Sequence, residues 1–207
     1  GFGKSVSISG DRVLVGSQPT FTTPASARLF KRTGTSWQQQ VVLNASIAFG
    51  NSGTAARVFL AGDVAAVGAE SNNAGRGDVS LYQYRASDDT WPLVQTLVGD
   101  ANEGRGSAVA LTAERLIVGG RQADTLRGMA TAYAPSGGQW QVDGQLAQPA
   151  TDLAGTSFFG QSLAMQGTIV AVGAPIAYTG GPDKTNGCVY VFERSGLRSW
   201  KVLARLI

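Results

Sequence analysis

Residues 3–16 read GKSVSISGDRVLVG, and this stretch decides the fold because variants of it recur three times further along the chain. The first copy ends at Gly16, and its counterparts end at Gly68, Gly119 and Gly173. The successive end glycines are therefore 52, 51 and 54 residues apart. Each copy continues with a second apolar run and then a tryptophan, which a leucine follows six residues later. These pairs are Trp37 and Leu43, Trp91 and Leu97, Trp140 and Leu146, and Trp200 and Leu206. The chain is therefore built from four repeats of one unit of about 52 residues.

Each repeat predicts four β-strands. In the first copy, Val6 and Ile8 alternate with small residues, and Gly10-Asp11 suits a two-residue hairpin that needs positive φ. The second and third runs are nearly all apolar, and the segment after the tryptophan is more polar, as expected of an outer edge strand. Four-stranded units at this period are typical of propeller blades. We therefore predict an all-β fold, a β-propeller domain or propeller segment over residues 1–207 with antiparallel four-stranded blades at about 1–43, 44–97, 98–146 and 147–207.

Two kinds of residue are assigned to packing between the predicted blades. The inner strands converge, so they need small side chains; these are Ser5, Ser7, Ala108, Ala110, Ser162 and Ala164. The repeated tryptophan is expected to pack between adjacent blades, because a large ring contributes most when it is buried against a neighbour.

Composition excludes several classes of function. The chain has 207 residues, of which 43% are hydrophobic and 15% charged, with a net charge of +3 and no run of basic residues, so no nucleic-acid partner is expected. No apolar stretch is long enough to span a bilayer. The chain has no histidine, which removes Ser-His-Asp and Cys-His nucleophilic systems and histidine-ligated zinc, and its one cysteine excludes an internal disulfide. We predict no catalytic residues, no metal site and no cofactor.

The residues at the start of two copies also resemble a known family. Phe2-Gly3 and Phe159-Gly160, with Gly173-Ala174-Pro175 in the fourth copy, resemble the FG-GAP repeat, in particular its bacterial-type branch. The resemblance covers essentially the whole chain and implies a β-propeller related to the head of integrin α subunits, in an extracellular or cell-surface setting. Many members carry a calcium loop, but the turns between first and second strands are too short for one here.

The number of blades in the ring stays open at this point. The resemblance implies seven blades for an integrin-like head, whereas this chain supplies four. Three arrangements are compatible with that: a compact four-bladed ring, a piece of a larger ring, or two chains that share one ring.

The long loops are the predicted binding region. The connections between second and third strands and those between repeats are long and are expected on one face of a propeller, where binding loops are usually found. The candidate ligand-binding residues are Phe21, Asn72, Asn73, Arg76, Asp78, Arg121, Asp124, Tyr178, Asp183 and Lys184. An alternative interpretation, in which these loops are variable surface without a binding role, is equally compatible with the sequence.

Arg76-Gly77-Asp78 equals a short adhesive motif that integrins recognise. Gly77 aligns with Gly128 and Gly187, however, so its glycine is explained by the start of the third strand, and Asp78 is expected in or beside that strand.

The leading hypothesis is a non-enzymatic extracellular or cell-surface module that binds a protein or glycan through the long-loop face. The alternative is a structural subunit of a larger surface assembly or filament, formed by self-association or with other repeats of the same parent chain. A polysaccharide-active enzyme ranks last.

Overall fold

The structure is a computed structural model that describes residues 1–20, 25–43, 56–152, 155–177 and 187–207. Within those ranges the chain forms sixteen β-strands and three short helical turns. The strands are β1 (Phe2–Ser9), β2 (Arg12–Ser17), β3 (Ala27–Thr33), β4 (Ser36–Leu43), β5 (Arg57–Ala61), β6 (Val64–Ala69), β7 (Asp78–Gln83), β8 (Leu93–Val98), β9 (Arg105–Leu111), β10 (Leu116–Gly120), β11 (Met129–Ser136), β12 (Gln139–Leu146), β13 (Ser162–Gln166), β14 (Ile169–Ala174), β15 (Cys188–Gly196) and β16 (Ser199–Leu206). The helical turns are α1 (Asn72–Gly75), α2 (Ala123–Leu126) and a 3₁₀ turn at Ala150–Asp152.

The strands form four antiparallel sheets of four, each in chain order: β1–β4 (sheet 1), β5–β8 (sheet 2), β9–β12 (sheet 3) and β13–β16 (sheet 4). This confirms the predicted all-β class and four strands per repeat. The glycine turn predicted at Gly10 is confirmed by its φ of +56°, and Gly62 and Gly167 have φ of +55° and +58° in the equivalent turns of sheets 2 and 4.

The sheets pack face to face in the order of the chain. The first strand of each sheet contacts the first strand of the next, so that β1 packs on β5, β5 on β9 and β9 on β13. A hydrophobic cluster fills each of the three junctions. Leu14, Leu81 and Tyr190 are fully buried in these clusters, one in each. Burial of a large apolar side chain contributes about 1.5–3 kcal/mol, so the junctions supply much of the fold's stability.

Small side chains on the first strands allow this close packing. The Oγ atoms of Ser5, Ser7 and Ser9 accept hydrogen bonds from the backbone N–H groups of Val58 (3.1 Å), Leu60 (2.9 Å) and Gly62 (2.9 Å). Sheet 1 is thereby fixed in register against sheet 2. The predicted role of small residues on the inner strands is confirmed at this junction.

Near the end of the second strand in sheets 1 to 3, a glycine lies against the backbone that belongs to or leads into the following sheet. A Cβ added to Gly68 would lie 2.6 Å from the carbonyl oxygen of Gly106, and one on Gly119 would lie 2.9 Å from the carbonyl carbon of Gly160. Both neighbours are backbone of the following sheet and have no side chain that could rotate away. The repeated glycine is therefore a packing requirement of the junction.

The tryptophans of sheets 2, 3 and 4 each bond to the preceding sheet. The Trp91 indole donates to Gln40 (3.4 Å) and the Trp200 indole to the Asp143 carbonyl (3.3 Å), while the Trp140 backbone N–H donates to the Gln95 side chain (2.7 Å). The prediction that the tryptophan packs between adjacent units is confirmed for these three.

Trp37 differs from the other tryptophans: it is 44% exposed, because sheet 1 has no preceding sheet among the described residues.

A bulge recurs three residues after each tryptophan. The strand register skips Gln40, Val94, Asp143 and Leu203, so each of these residues is the extra one in its fourth strand. Gln40 and Asp143 are the groups that meet the tryptophan of the following sheet. The bulge therefore turns the residue at this position toward the following sheet.

Candidate functional site

Two eight-residue loops with the same backbone shape connect second to third strands. We name them loop L2 (residues 70–77, ESNNAGRG) and loop L3 (residues 121–128, RQADTLRG). Left-handed φ values occur in the middle of both, at Asn73 and Ala74 in L2 and at Asp124 and Thr125 in L3. Non-glycine residues seldom adopt this conformation, and a β-branched threonine does so least readily. Such strain persists only where surrounding contacts impose it.

Those contacts come from the segment that leads into the following sheet. The backbone N–H of Arg105 donates to the Arg76 carbonyl (2.9 Å), and that of Phe159 donates to the Arg127 carbonyl (2.9 Å). Gly77 and Gly128 form isolated parallel bridges with the same two partners. L2 and L3 therefore lie on the same side as the connections between sheets, and we call this side the long-loop face.

Arg121 joins the two loops. Its Nε donates to Glu70 of L2 at 2.9 Å, and its guanidinium lies 5.6 Å from the centre of the Phe158 ring. The sequence marks Arg121 as a ligand contact, but the structure engages its charge in this ion pair. Its role in the described residues is to hold L2 against L3.

Asp78 is buried and only 2% exposed. One carboxylate oxygen accepts hydrogen bonds from the Asn72 (2.9 Å) and Asn73 (3.0 Å) side chains, and the other has no hydrogen-bond partner in the part of the chain that the structure describes. Burial raises the pKa of Asp78, and the two asparagine hydrogen bonds only partly oppose that rise. The structure places the Asp78 carboxylate inward, where its hydrogen bonds to Asn72 and Asn73 shape L2.

The adhesive motif consequently has no protruding tip. Arg76 is exposed, but Gly77 is buried and Asp78 begins β7. An added Cβ on Gly77 would overlap the backbone of Arg105, so close packing explains this glycine, as its alignment with Gly128 predicts.

A cleft of about 410 Å³ opens on the long-loop face beside L3. Three segments line it: the one before β9, loop L3 with the start of β11, and the end of β12 with the residues after it. Met129 and Leu146 give it apolar walls, and Asp124 and Arg127 form an ion pair of 3.3 Å at its edge. A site of this kind offers both hydrogen-bond acceptors and a fixed positive charge.

A buried ion pair supports the wall of the cleft. Arg105 contacts Glu103 through Nε at 2.9 Å and also bonds to the Tyr133 hydroxyl, and Glu103 accepts the backbone N–H of Asp100 at 2.7 Å. Burial acts to lower the pKa of Arg105, but Glu103, Tyr133 and Asp100 together outweigh burial and the pKa is raised. Glu103 is thus paired with Arg105 inside the wall, and Asp100 and Asp124 are the other two acidic groups of the lining.

The ten predicted site residues divide into three groups. Asn73, Arg76 and Asp124 are exposed on the long-loop face, whereas Asn72 and Asp78 are buried and Arg121 is ion-paired. Phe21, Tyr178, Asp183 and Lys184 lie outside the described residues. Of the ten, the cleft contains only Asp124 among the residues that the structure describes.

Sequence reasoning missed most of the cleft. Asp100, Arg127 and Gln148 are lining residues that no motif marks. One signal was available: Arg-Gly ends both L2 and L3, which distinguishes Arg127 as part of a repeated loop.

Two observations bear on metal binding and membrane insertion. In the described ranges, no three His, Cys, Asp or Glu residues are grouped so that they could hold a metal ion. No helix in those same ranges is both long and apolar enough to cross a membrane.

The four sheets and their glycine junctions define a repeat protein, and part of its fourth repeat is similar to a known family. Residues 149–192 match the family model described as the FG-GAP repeat, which confirms the resemblance. The match spans the connection into sheet 4 and the strands up to β15, including Phe159-Gly160 and Gly173-Ala174-Pro175. No curated protein matches the chain.

Proposed function

We propose that this chain is a non-enzymatic extracellular or cell-surface interaction module whose four sheets are propeller blades. It binds a protein or glycan ligand through the long-loop face, with the cleft beside L3 as the principal contact. FG-GAP repeats are typically extracellular interaction modules, which supports both the setting and the class of function.

The single observation that carries the proposal is the cleft itself. It combines apolar walls at Met129 and Leu146 with Asp124 and Arg127 at its edge. Apolar walls with a few fixed polar groups are the usual composition of a binding site. The loops are also held by hydrogen bonds to the next sheet, so little ordering entropy is lost on binding.

The first experiment identifies the ligand class. The purified chain is applied to a glycan array and, separately, to an array of extracellular proteins. Binding to one array assigns the class. Turnover of a polysaccharide panel would overturn the non-enzymatic assignment.

Variants then place the contact. Asp124→Asn removes the charge but keeps the loop, because asparagine tolerates the left-handed φ of 47° at this position. Arg127→Gln removes the guanidinium, while the backbone carbonyl that bonds Phe159 remains. Hydrogen bonds to charged groups contribute about 1.5–3 kcal/mol, so each variant should weaken binding about tenfold or more.

Glu114→Gln is the matched control. Glu114 is exposed in the short turn between β9 and β10, at the opposite end of the same sheet. Ligand binding that is unchanged in both cleft variants would refute the cleft as the contact.

A further inference from the structure

The cleft beside L3, which we now call the first cleft, continues into a second cleft on the same face. The second cleft has a volume of about 550 Å³ and reaches Gln122 and Leu126. Ala101 and Asp124 line both clefts, and they belong to opposite walls, which are the turn before β9 (residues 100–103) and loop L3. The two clefts therefore form one groove between this turn and L3.

Backbone hydrogen bonds hold the two walls of the groove together. The N–H of Glu103 donates to the Asp100 carbonyl (3.2 Å) and closes the turn, and the N–H of Gln122 in L3 donates to the Glu103 carbonyl (3.0 Å). Within L3, the N–H of Gly128 donates to the Ala123 carbonyl (2.9 Å). Because the walls are already ordered, the groove loses little conformational entropy when a ligand binds.

The charged groups of the groove favour a cationic ligand. Asp100 is exposed and, among the described residues, forms no ion pair. Asp124 pairs with Arg127 at 3.3 Å, but these side chains are 69% and 41% exposed, so the pair is weak and Asp124 can also bind a ligand. Both carboxylate oxygens of Glu103 bond to Arg105 inside the wall. A ligand therefore meets two carboxylates and one guanidinium.

Apolar side chains lie on both sides of these carboxylates. Met129 and Leu146 line the first cleft, and Leu126 lines the second. Leu126 is 39% exposed and has φ of +69° at the place where L2 has Gly75, so L3 keeps an apolar side chain in a conformation that favours glycine. A lysine or arginine side chain combines an apolar stem with a terminal charge, and this groove offers partners for both.

We propose that the groove binds an extended peptide segment of a protein ligand, with a lysine or arginine side chain in the first cleft. This inference rests on the proposed function and names the ligand class of the same site. The stem of the basic side chain packs on the apolar walls, and its charge lies between Asp100 and Asp124. Arg127 donates to a carbonyl of the peptide backbone. The next residues of the peptide pass along L3 and contact Leu126 in the second cleft.

Other ligand classes fit the groove less well. An anionic ligand, such as an acidic peptide or a uronic-acid glycan, would meet Asp100 and Asp124 with only Arg127 to offset their repulsion. Among the described residues, no Phe, Tyr or Trp lines either cleft, so a neutral glycan finds no aromatic ring on which a sugar could stack. An extended peptide needs only hydrogen-bond partners for its backbone and contacts for alternate side chains.

The test uses libraries of short synthetic peptides in which one position is fixed and the others are mixed. The fixed residue is Lys, Arg, Glu or norleucine, and norleucine keeps the apolar stem of lysine without its charge. Libraries fixed with Lys or Arg should bind the purified chain about tenfold or more tightly than the norleucine library. Salt at about 1 M, where the Debye length is about 3 Å, should reduce that preference.

Variants then locate the charge contact, with the tightest-binding Lys peptide and its norleucine analogue as probes. Asp100→Asn should reduce the preference for Lys to about twofold or less and leave binding of the norleucine analogue unchanged. Leu126→Gly should weaken both peptides equally, because it removes an apolar contact and no charge. Glu114→Gln is the matched control: it also removes one negative charge from the β9–β10 region, at the opposite end of sheet 3, and should keep the full preference.

The outcomes separate this inference from the proposed function. Peptide binding without a preference for Lys or Arg would overturn the inference, as would an equal loss of preference in Asp100→Asn and Glu114→Gln. Binding to glycans or to folded proteins alone, weakened by Asp124→Asn, would overturn the inference while the proposed function stands. A chain that binds no peptide, protein or glycan would overturn both.

Discussion

Replacing Gly119 with alanine tests whether the repeated glycine is a packing requirement of the sheet junctions. The added methyl group would overlap the carbonyl oxygen of Gly160 and lie 2.9 Å from its carbonyl carbon. Because the obstacle is backbone in the following sheet, sheets 3 and 4 must move apart locally. That movement disturbs the cluster that contains Ile117, Phe159 and Val172.

The size of the effect follows from two opposing terms. Overpacking a well-packed interior costs about 1–3 kcal/mol, and a backbone obstacle places this site near the upper value. Alanine in a strand is favoured over glycine by about 0.5–1 kcal/mol, which offsets part of that cost. We expect Gly119→Ala to lower the free energy of unfolding by about 2 kcal/mol, or Tm by about 4–8 °C for a chain of this size.

The assay is urea denaturation followed by circular dichroism, with Gly173→Ala as the matched control. Gly173 occupies the same repeat position, but the atom nearest to the added methyl is the Ser162 hydroxyl, which can rotate away, and the Ser162 carbonyl oxygen lies at an ordinary contact distance of 3.7 Å. The control should therefore change the free energy of unfolding by less than about 1 kcal/mol. Equal destabilisation by both substitutions would show that strand conformation, and not contact between sheets, selects this glycine.

Three further predictions concern side chains. Trp140→Ala should destabilise the chain by about 3–5 kcal/mol because Trp140 is buried. Trp37→Ala, at the same repeat position but 44% exposed, should cost less than about 1 kcal/mol, as thermal unfolding of both variants will show. Arg105→Met leaves the buried Glu103 carboxylate unpaired and should lower the free energy of unfolding by about 3–5 kcal/mol. Adding Glu103→Gln should restore most of that stability, as a double-mutant cycle measured by urea denaturation will show. The pKa of Asp78 is raised in the native state, so the folded chain holds this proton more tightly than the unfolded chain does. The stability of the wild type relative to Asp78→Asn should therefore fall as pH rises from 3.8 through the raised pKa. Urea denaturation at pH 4 and pH 7 checks this, and a relative stability that rises over that range would contradict it.

Much of the fold could be predicted from the sequence because its signals are local. Alternating apolar residues such as Val6 and Ile8 define strands, and Gly10 marks a hairpin through its positive φ. The recurrence of a tryptophan with a leucine six residues later then extends one unit to all four repeats. These features depend on residues that are close together in the chain.

The candidate site was less predictable because it draws on distant segments. Asp100, Asp124 and Gln148 line one cleft, although two connections and several strands separate them in sequence. The sequence marked Asp78 as a possible contact through its motif, yet Asn72 and Asn73 turn it inward. A short motif carries no information on burial, which is set by how the loop folds back on its sheet.

The sequence by itself determined the repeat, the order of strands within each sheet and the glycine turns, since these follow from backbone preference and from a period that every copy shares. Only the tertiary structure decided which copies of a repeated residue are buried. Trp91 and Trp37 hold the same place in the repeat, but Trp91 packs against sheet 1, whereas no sheet among the described residues covers Trp37. Burial at a junction depends on the neighbouring sheet about 50 residues away, and a position within the repeat does not specify that neighbour.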